Sequence, residues 1–173
     1  MLYNVGIIKI KEKKMNQFNV SAFDIFDKKW ALVTSGDIND FNTMTISWGG
    51  VGTLWNKPVA TIYIRPSRHT YTYLEKNEYF TISFYPEEYK KDLSLLGKLS
   101  GRDGDKVSQT RLRPMKVVDC VTFEQAQVTL LCKKIYYNDL VKENIPEELR
   151  DKNYAADEPA HRMYIAEVVG VIE

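Results

Sequence analysis

The chain is 173 residues long, with 24 basic and 23 acidic side chains and a net charge of +1. That length suits one domain with a sizeable core, and 44% apolar with 27% charged residues is the balance of a soluble globular protein. Near-neutral charge without a dense basic patch argues against a nucleic-acid partner, and no apolar run approaches the ~20 residues that cross a bilayer.

The first segment, Met1 to Lys14, holds the short apolar stretch Val5-Gly-Ile-Ile8 and a basic cluster from Lys9 to Lys14. Without a long apolar core and a small-residue cleavage site, it does not read as a secretory signal. It reads as a solvated extension, residues 1–15, ahead of a domain over 16–173, and Met15 offers an alternative start.

Trp30-Ala-Leu-Val-Thr34 is rich in strand formers, and a turn is expected over Ser35 to Asp40. From Asn42 to Trp48 the residues alternate, with Met44, Ile46 and Trp48 on one face and Thr43, Thr45 and Ser47 on the other. Gly49-Gly50 closes that run. Ala60, Ile62 and Ile64 alternate in the next strand. Ser67 is placed to cap a short helix reaching about Asn77, with Tyr71 and Leu74 on its buried side. Phe80, Ile82 and Phe84 mark another strand. After Pro86 a helix is expected over 87–99, since Tyr89, Leu93, Leu96 and Leu99 form one stripe. A glycine-rich charged loop, Ser100 to Lys106, comes next. A strand over 125–132 buries Ala126, Val128, Leu130 and Cys132. Residues 138–160 are polar and predict a covering loop with a short helix near Pro146 to Arg150. The final run, Met163 to Ile172, is apolar on both faces except at Glu167, as in a doubly covered strand. Six or more strands joined mostly by short turns predict a mainly β protein: a closed or partly closed antiparallel barrel with a few short helices.

Cys120 and Cys132 stand twelve residues apart with no CxxC, which suits two buried reduced thiols, a cytoplasmic location and no metal site. Three segments have chemical potential. Ile64-Arg-Pro-Ser-Arg-His-Thr-Tyr71 ends a strand and opens a helix, so unpaired N–H groups, Arg65, Arg68 and the hydroxyls of Ser67 and Thr70 surround one terminus. Phosphate fits there, but so does an ordinary capped helix with solvated arginines. The hydroxyl face of Asn42–Trp48, with its two glycines, suits a flat heterocycle beside Trp48, or is merely a half-buried strand. Gly101-Arg-Asp-Gly-Asp-Lys106 is either a mobile loop that brings Lys106 to an anion or a solvated connection. His69 and His161 are the only histidines, and neither pairs with a Ser, Cys or carboxylate in a hydrolase pattern.

Taken in order, Asn42-Thr-Met-Thr-Ile-Ser-Trp-Gly-Gly50, the segment from Ile64 to Tyr71, Ser100 to Lys106, and His161-Arg-Met-Tyr-Ile-Ala-Glu-Val168 resemble the flavin reductase-like, FMN-binding split-barrel family. The flavoredoxin-type branch is the nearest in pattern, and the likeness extends over roughly residues 20–173. It implies an antiparallel Greek-key split β-barrel and a homodimer with FMN near its interface. The implied FMN contacts are Asn42, Thr45, Ile46, Ser47 and Trp48 on the strand. Arg65, Ser67, Arg68 and Thr70 would lie around the phosphate, with Lys106 closing the site. His161 resembles a histidine found near the flavin or nicotinamide side in some relatives. Gly104 and Ala166 depart from the family pattern, without removing an implied contact.

The activity implied is FMN-dependent oxidoreduction: NAD(P)H-dependent flavin reduction, or flavoredoxin-like electron transfer with a redox protein partner. A non-enzymatic FMN-binding electron carrier and a regulatory binding domain are the alternatives. The sequence carries no dinucleotide glycine fingerprint, so NAD(P)H enters through the resemblance alone.

Overall fold

Alternating apolar side chains build one seven-stranded sheet in the computed structural model, which describes residues 19–173. The expected N-terminal extension and the alternative start at Met15 lie outside the described residues. A single turn, α1 (Asp24–Asp27), precedes the first hairpin, β1 (Ala31–Asp37) and β2 (Asp40–Ile46). A second hairpin comes next, β3 (Gly49–Leu54) and β4 (Lys57–Ile64). Then come α2 (His69–Lys76), β5 (Tyr79–Phe84) and α3 (Lys90–Lys98). A small ribbon of β6 (Pro114–Val117) and β7 (Cys120–Phe123) leads to β8 (Val128–Asp139), α4 (Glu147–Asn153) and β9 (Arg162–Ile172).

The sheet runs β2-β1-β5-β8-β9-β4-β3, and every pairing in it is antiparallel. Its two edge strands, β2 and β3, are consecutive in sequence and separated only by Ser47 and Trp48. Three Cα–Cα steps cover at most about 11 Å, so the edges must meet there. The sheet therefore curls on itself without a ladder between β2 and β3. This is a split barrel rather than a closed one, and the split falls at Ser47–Trp48.

Inside the curl lie Val33, Ile46, Ile62, Phe80, Ile82 and Tyr164, with Leu74 of α2 packed among them. A second cluster outside β1 brings Leu93 and Leu96 of α3 against Leu32, Leu112 and Phe123. β1 is thus covered on both faces, and Ala31 to Gly36 are all buried. Buried hydroxyls pair with one another: Ser83, Thr122 and Thr129 form a triangle with 2.7–3.0 Å sides, and Thr34 meets Thr43 at 2.8 Å. Cys120 and Cys132 are free and buried in strands, and burial pushes the Cys120 thiol up to about 12.

Several elements differ from the sequence expectation. β1 runs on to Asp37, so the expected turn shrinks to Ile38-Asn39. Gly49-Gly50 does not end a strand but starts β3, whose alternation is hidden by its glycines. The 87–99 helix is a 3-10 turn over Glu87–Tyr89 continued by α3, and Leu99, expected in the stripe, is 36% exposed beyond its end. β8 extends to Asp139 and shortens the covering loop. β9 is buried at Tyr164, Ala166, Val168 and Val171 but half-open at Ile165 and exposed at Val169, so it is covered on one face. The alternation puts Trp48 on the core face; the strand instead stops at Ile46, and Trp48 is 45% exposed at the split.

Gly36 has φ +112°, and a Cβ there would stand 2.2 Å from the Asp40 carbonyl oxygen and 2.6 Å from Phe41 Cα. Gly36→Ala is expected to destabilise the protein by about 2 kcal/mol or more, read as a lower midpoint in urea unfolding.

Candidate functional site

The link at the split leaves a gap that other elements must cover, and the candidate site forms under that cover. α2 starts at His69 with Arg68 as its N-cap. Ser67, expected to cap this helix, makes no capping bond, because the N-cap position falls one residue later, on Arg68. Among the described residues no side chain caps the first N–H groups of α2. Thr70, 1% exposed, accepts a 2.7 Å hydrogen bond from Asn42 Nδ2 and so ties α2 to β2. Gly101 lies against that pair: a Cβ there would stand 2.1 Å from Asn42 Oδ1. Only glycine lets the 100–106 loop close over the amide.

A cavity of about 450 Å³ opens between these elements, lined by Asn42, Arg65, Ser67, Arg68, His69, Thr70, Gly101, Arg102, Lys106 and Glu158, among others. A smaller one of about 210 Å³ adjoins it, lined by Met44, Thr45, Ile46, Ser47, Trp48, Tyr63 and His161. Met44, Arg65 and Arg68 belong to both, so the two form one cleft running from the α2 terminus to Trp48. All ten residues expected to contact FMN, and His161, line this cleft.

The structure gives four of these features a more definite setting. Arg65 is not solvated: its guanidinium pairs with Glu158, donates to the Asn153 carbonyl at 2.9 Å and lies 5.6 Å from the Tyr154 ring centroid. It clamps the segment after α4 against the cleft. Lys106 does not ride a mobile loop. It is 5% exposed and donates to the carbonyls of Leu96 and Leu99 at 3.0 and 3.1 Å, receiving the C-terminus of α3. Burial, then the Arg68 charge, hold its ammonium down at about 8. The hydroxyl face of β2 is largely used by the fold, since Thr43 bonds Thr34 and the Val33 carbonyl, and Thr45 donates to the Leu93 carbonyl. His161 is buried and neutral: burial, then Arg65, hold it down at about 4, and its Nδ1 lies 2.8 Å from the Tyr154 hydroxyl. Its ring packs 5.0 Å from Trp48.

Sequence reasoning missed His69, Arg102, Tyr154 and Glu158. Among the described residues His69 Nδ1 is buried with no hydrogen-bond partner, and burial, then Arg102 and Lys106, lower the ring's affinity for a proton. Arg102 donates to the Ser67 carbonyl at 2.9 Å, which places a cation beside the α2 terminus. A glycine next to a charged residue in the 100–106 loop was the available signal for it. Tyr154 and Glu158 carried none, because residues 140–160 show no periodicity to orient them. Among the described residues Arg68, Arg102 and Lys106 form no ion pair, and Glu158 is engaged by Arg65, so the cleft keeps three unneutralised cations. Such an arrangement can hold an anion at the helix end and an apolar ring toward Trp48. Among the described residues no cluster of three His, Cys, Asp or Glu could hold a metal ion, and no helix is long and apolar enough to cross a membrane.

The family model for the flavin reductase like domain matches residues 23–173. No curated protein matches the sequence. Similar solved structures include a flavoredoxin from Methanosarcina acetivorans, 14% identical with a TM-score of 0.65 over 84% of this chain and 68% of that one. An FMN-binding protein from Thermus thermophilus is 22% identical with a TM-score of 0.64 over 83% and 70%. Flavoredoxin of Desulfovibrio vulgaris (Miyazaki F) is 19% identical with a TM-score of 0.64 over 93% and 77%. At these identities the likeness establishes the shared split-barrel fold.

The Asn42–Thr70 bond sets a stability test. Thr70→Val keeps the shape but leaves the Asn42 amide buried without its acceptor, at a cost of about 1–3 kcal/mol in urea unfolding. Unchanged stability would show that the two side chains are not coupled.

Proposed function

The chain belongs to the flavin reductase-like family, matched over residues 23–173, and on that basis we propose that it is an FMN-binding oxidoreductase. The observation that carries this reading is convergence. One cleft holds an uncapped helix N-terminus with three unneutralised cations at one end and an exposed Trp48 at the other. FMN has the matching polarity, a phosphate at one end and a flat ring at the other. The cleft also has features that suit a resident group: the buried, unpartnered His69 Nδ1 and the missing Cβ at Gly101. Its volume lies in the range of small-molecule and cofactor sites.

When bound, FMN supplies the redox chemistry. The chain's residues bind and orient it. Arg68, Arg102, Ser67 and the first N–H groups of α2 would take the phosphate. Asn42 and the backbone of Thr45 to Ser47 would border the ring, and Trp48 with His161 would form the wall beside it. Lys106, anchored on the end of α3, supplies positive charge from a low-dielectric position, where it acts more strongly than in water. NAD(P)H is the proposed donor. The test is an absorbance spectrum after FMN loading and desalting, and then NADH and NADPH oxidation with added FMN. Retained bands near ~370 and ~450 nm with turnover support the reductase reading. Retained bands without turnover would leave a flavin electron carrier, and no bands would sink the flavin reading.

Lys106 gives the pH signature. Its proton leaves near pH 8 in the folded chain rather than at 10.5, so below pH 8 its charge works against folding, and that penalty fades as pH rises from 8 to 10.5. A bound anion reverses the preference and draws the proton back. FMN affinity should therefore fall as pH rises past about 8, by up to about tenfold per unit, and Lys106→Met should flatten the dependence in a fluorescence titration.

A further inference from the structure

The cleft wall beside Trp48 contains one imidazole whose hydrogen-bonding direction is set by a neighbour. Resting on the reading of this cleft as a flavin site, we propose that Tyr154 is a positioning residue: it fixes His161 as the Nε2–H tautomer, so that the wall presents a hydrogen-bond donor to the molecule that docks there.

The segment carrying Tyr154 is tied down on both sides. Arg65 holds the Asn153 carbonyl and the Glu158 carboxylate, while Lys142 Nζ donates to the carbonyls of Ala155 and Ala156 at 2.9 and 3.3 Å. The tyrosine ring itself lies 5.6 Å from the Arg65 guanidinium and 5.9 Å from the Lys142 ammonium. Its hydroxyl is thereby held 2.8 Å from His161 Nδ1. A phenol O–H is a stronger donor than an imidazole N–H, and a bare imidazole nitrogen is a stronger acceptor than a phenol oxygen. The bond therefore runs from Tyr154 to Nδ1, which leaves the ring's proton on Nε2. Burial keeps the ring neutral, so the tautomer, not the charge, is what the neighbour controls.

Nε2 has no hydrogen-bond partner among the described residues, and the ring lines the cleft and packs beside Trp48. An Nε2–H there selects an acceptor, such as a carbonyl or amide oxygen on a co-substrate. The opposite tautomer would select a hydroxyl or amine. Tyr154 thus sets the polarity of the docking wall without touching the docked molecule.

The direct test is a long-range 1H–15N correlation spectrum of the full chain with labelled histidine and no ligand. The sequence has two histidines, so His161→Gln assigns the signals. The expected result is a single tautomer with Nε2 protonated and Nδ1 bare; a proton on Nδ1, or averaged tautomers, overturns the proposal. Tyr154→Phe should then release the ring into a tautomer mixture and raise KM for NAD(P)H about fivefold, as for one lost hydrogen bond, with a smaller change in kcat. An unchanged tautomer in that variant also overturns it. The ligand-free spectrum decides the role of Tyr154 even if FMN fails to bind, so the two readings fail separately.

Discussion

Two residues join the opposite edges of a seven-stranded sheet, and that short reach governs the shape of the barrel and the position of its cleft. Because Ser47 and Trp48 must span from β2 to β3, the sheet has to curl, yet no ladder can seal the seam they cross. Other elements flank that seam. α2 closes it on one side through Leu74 and the Asn42–Thr70 bond, and the segment after α4 closes it on the other through Arg65. A cleft remains where the covers fail to meet. The site is therefore a consequence of the topology, and its polar ends reflect which element borders each side.

Charge in that cleft is distributed by the same logic. Arg65 is committed to holding the cover, and Glu158 with it, so neither changes the net field at the helix end. Lys106 is committed to the α3 carbonyls, but a hydrogen bond to a carbonyl leaves its charge intact. Arg68 and Arg102 are exposed beside the α2 terminus. The positive field therefore comes from three side chains plus a helix end, and the histidines are pushed toward neutrality first by burial and then by neighbouring cations, Arg102 and Lys106 at His69, Arg65 and Arg68 at His161. One end of the cleft is cationic, the other aromatic and uncharged.

Much of this was legible in the residues. Period-two alternation located β2, β4 and β5, because each has one face turned firmly to the core. It failed at β3, where Gly49, Gly50 and Gly52 leave no side chains to alternate, and at Trp48, where the strand stops short of carrying the ring inward. The helix terminus at 65–70 was visible from Pro66 and the clustered hydroxyls, but which residue capped it was not, since Ser67 and Arg68 differ by one backbone step. The sequence pointed to Lys106 near the cleft but not to its place as a buried anchor of α3, because a loop's sequence does not show which helix end it returns to. Residues 140–160 were legible only as cover. Of their two contributions, Glu158 depends on the distant Arg65, and Tyr154 on His161 across a loop with no regular period.

The flavin reading stands or falls on the α2 terminus, where Arg68 and Arg102 line the cleft and, on the proposed reading, would take the phosphate. A fluorescence titration of FMN against riboflavin, which lacks that phosphate, isolates the contribution of this end of the cleft at one salt concentration. Charge-assisted hydrogen bonds contribute about 1.5–3 kcal/mol each, so FMN is predicted to bind at least about tenfold more tightly than riboflavin. Equal affinities would refute phosphate binding there, because the cationic end of the cleft would then contribute nothing to what the protein holds.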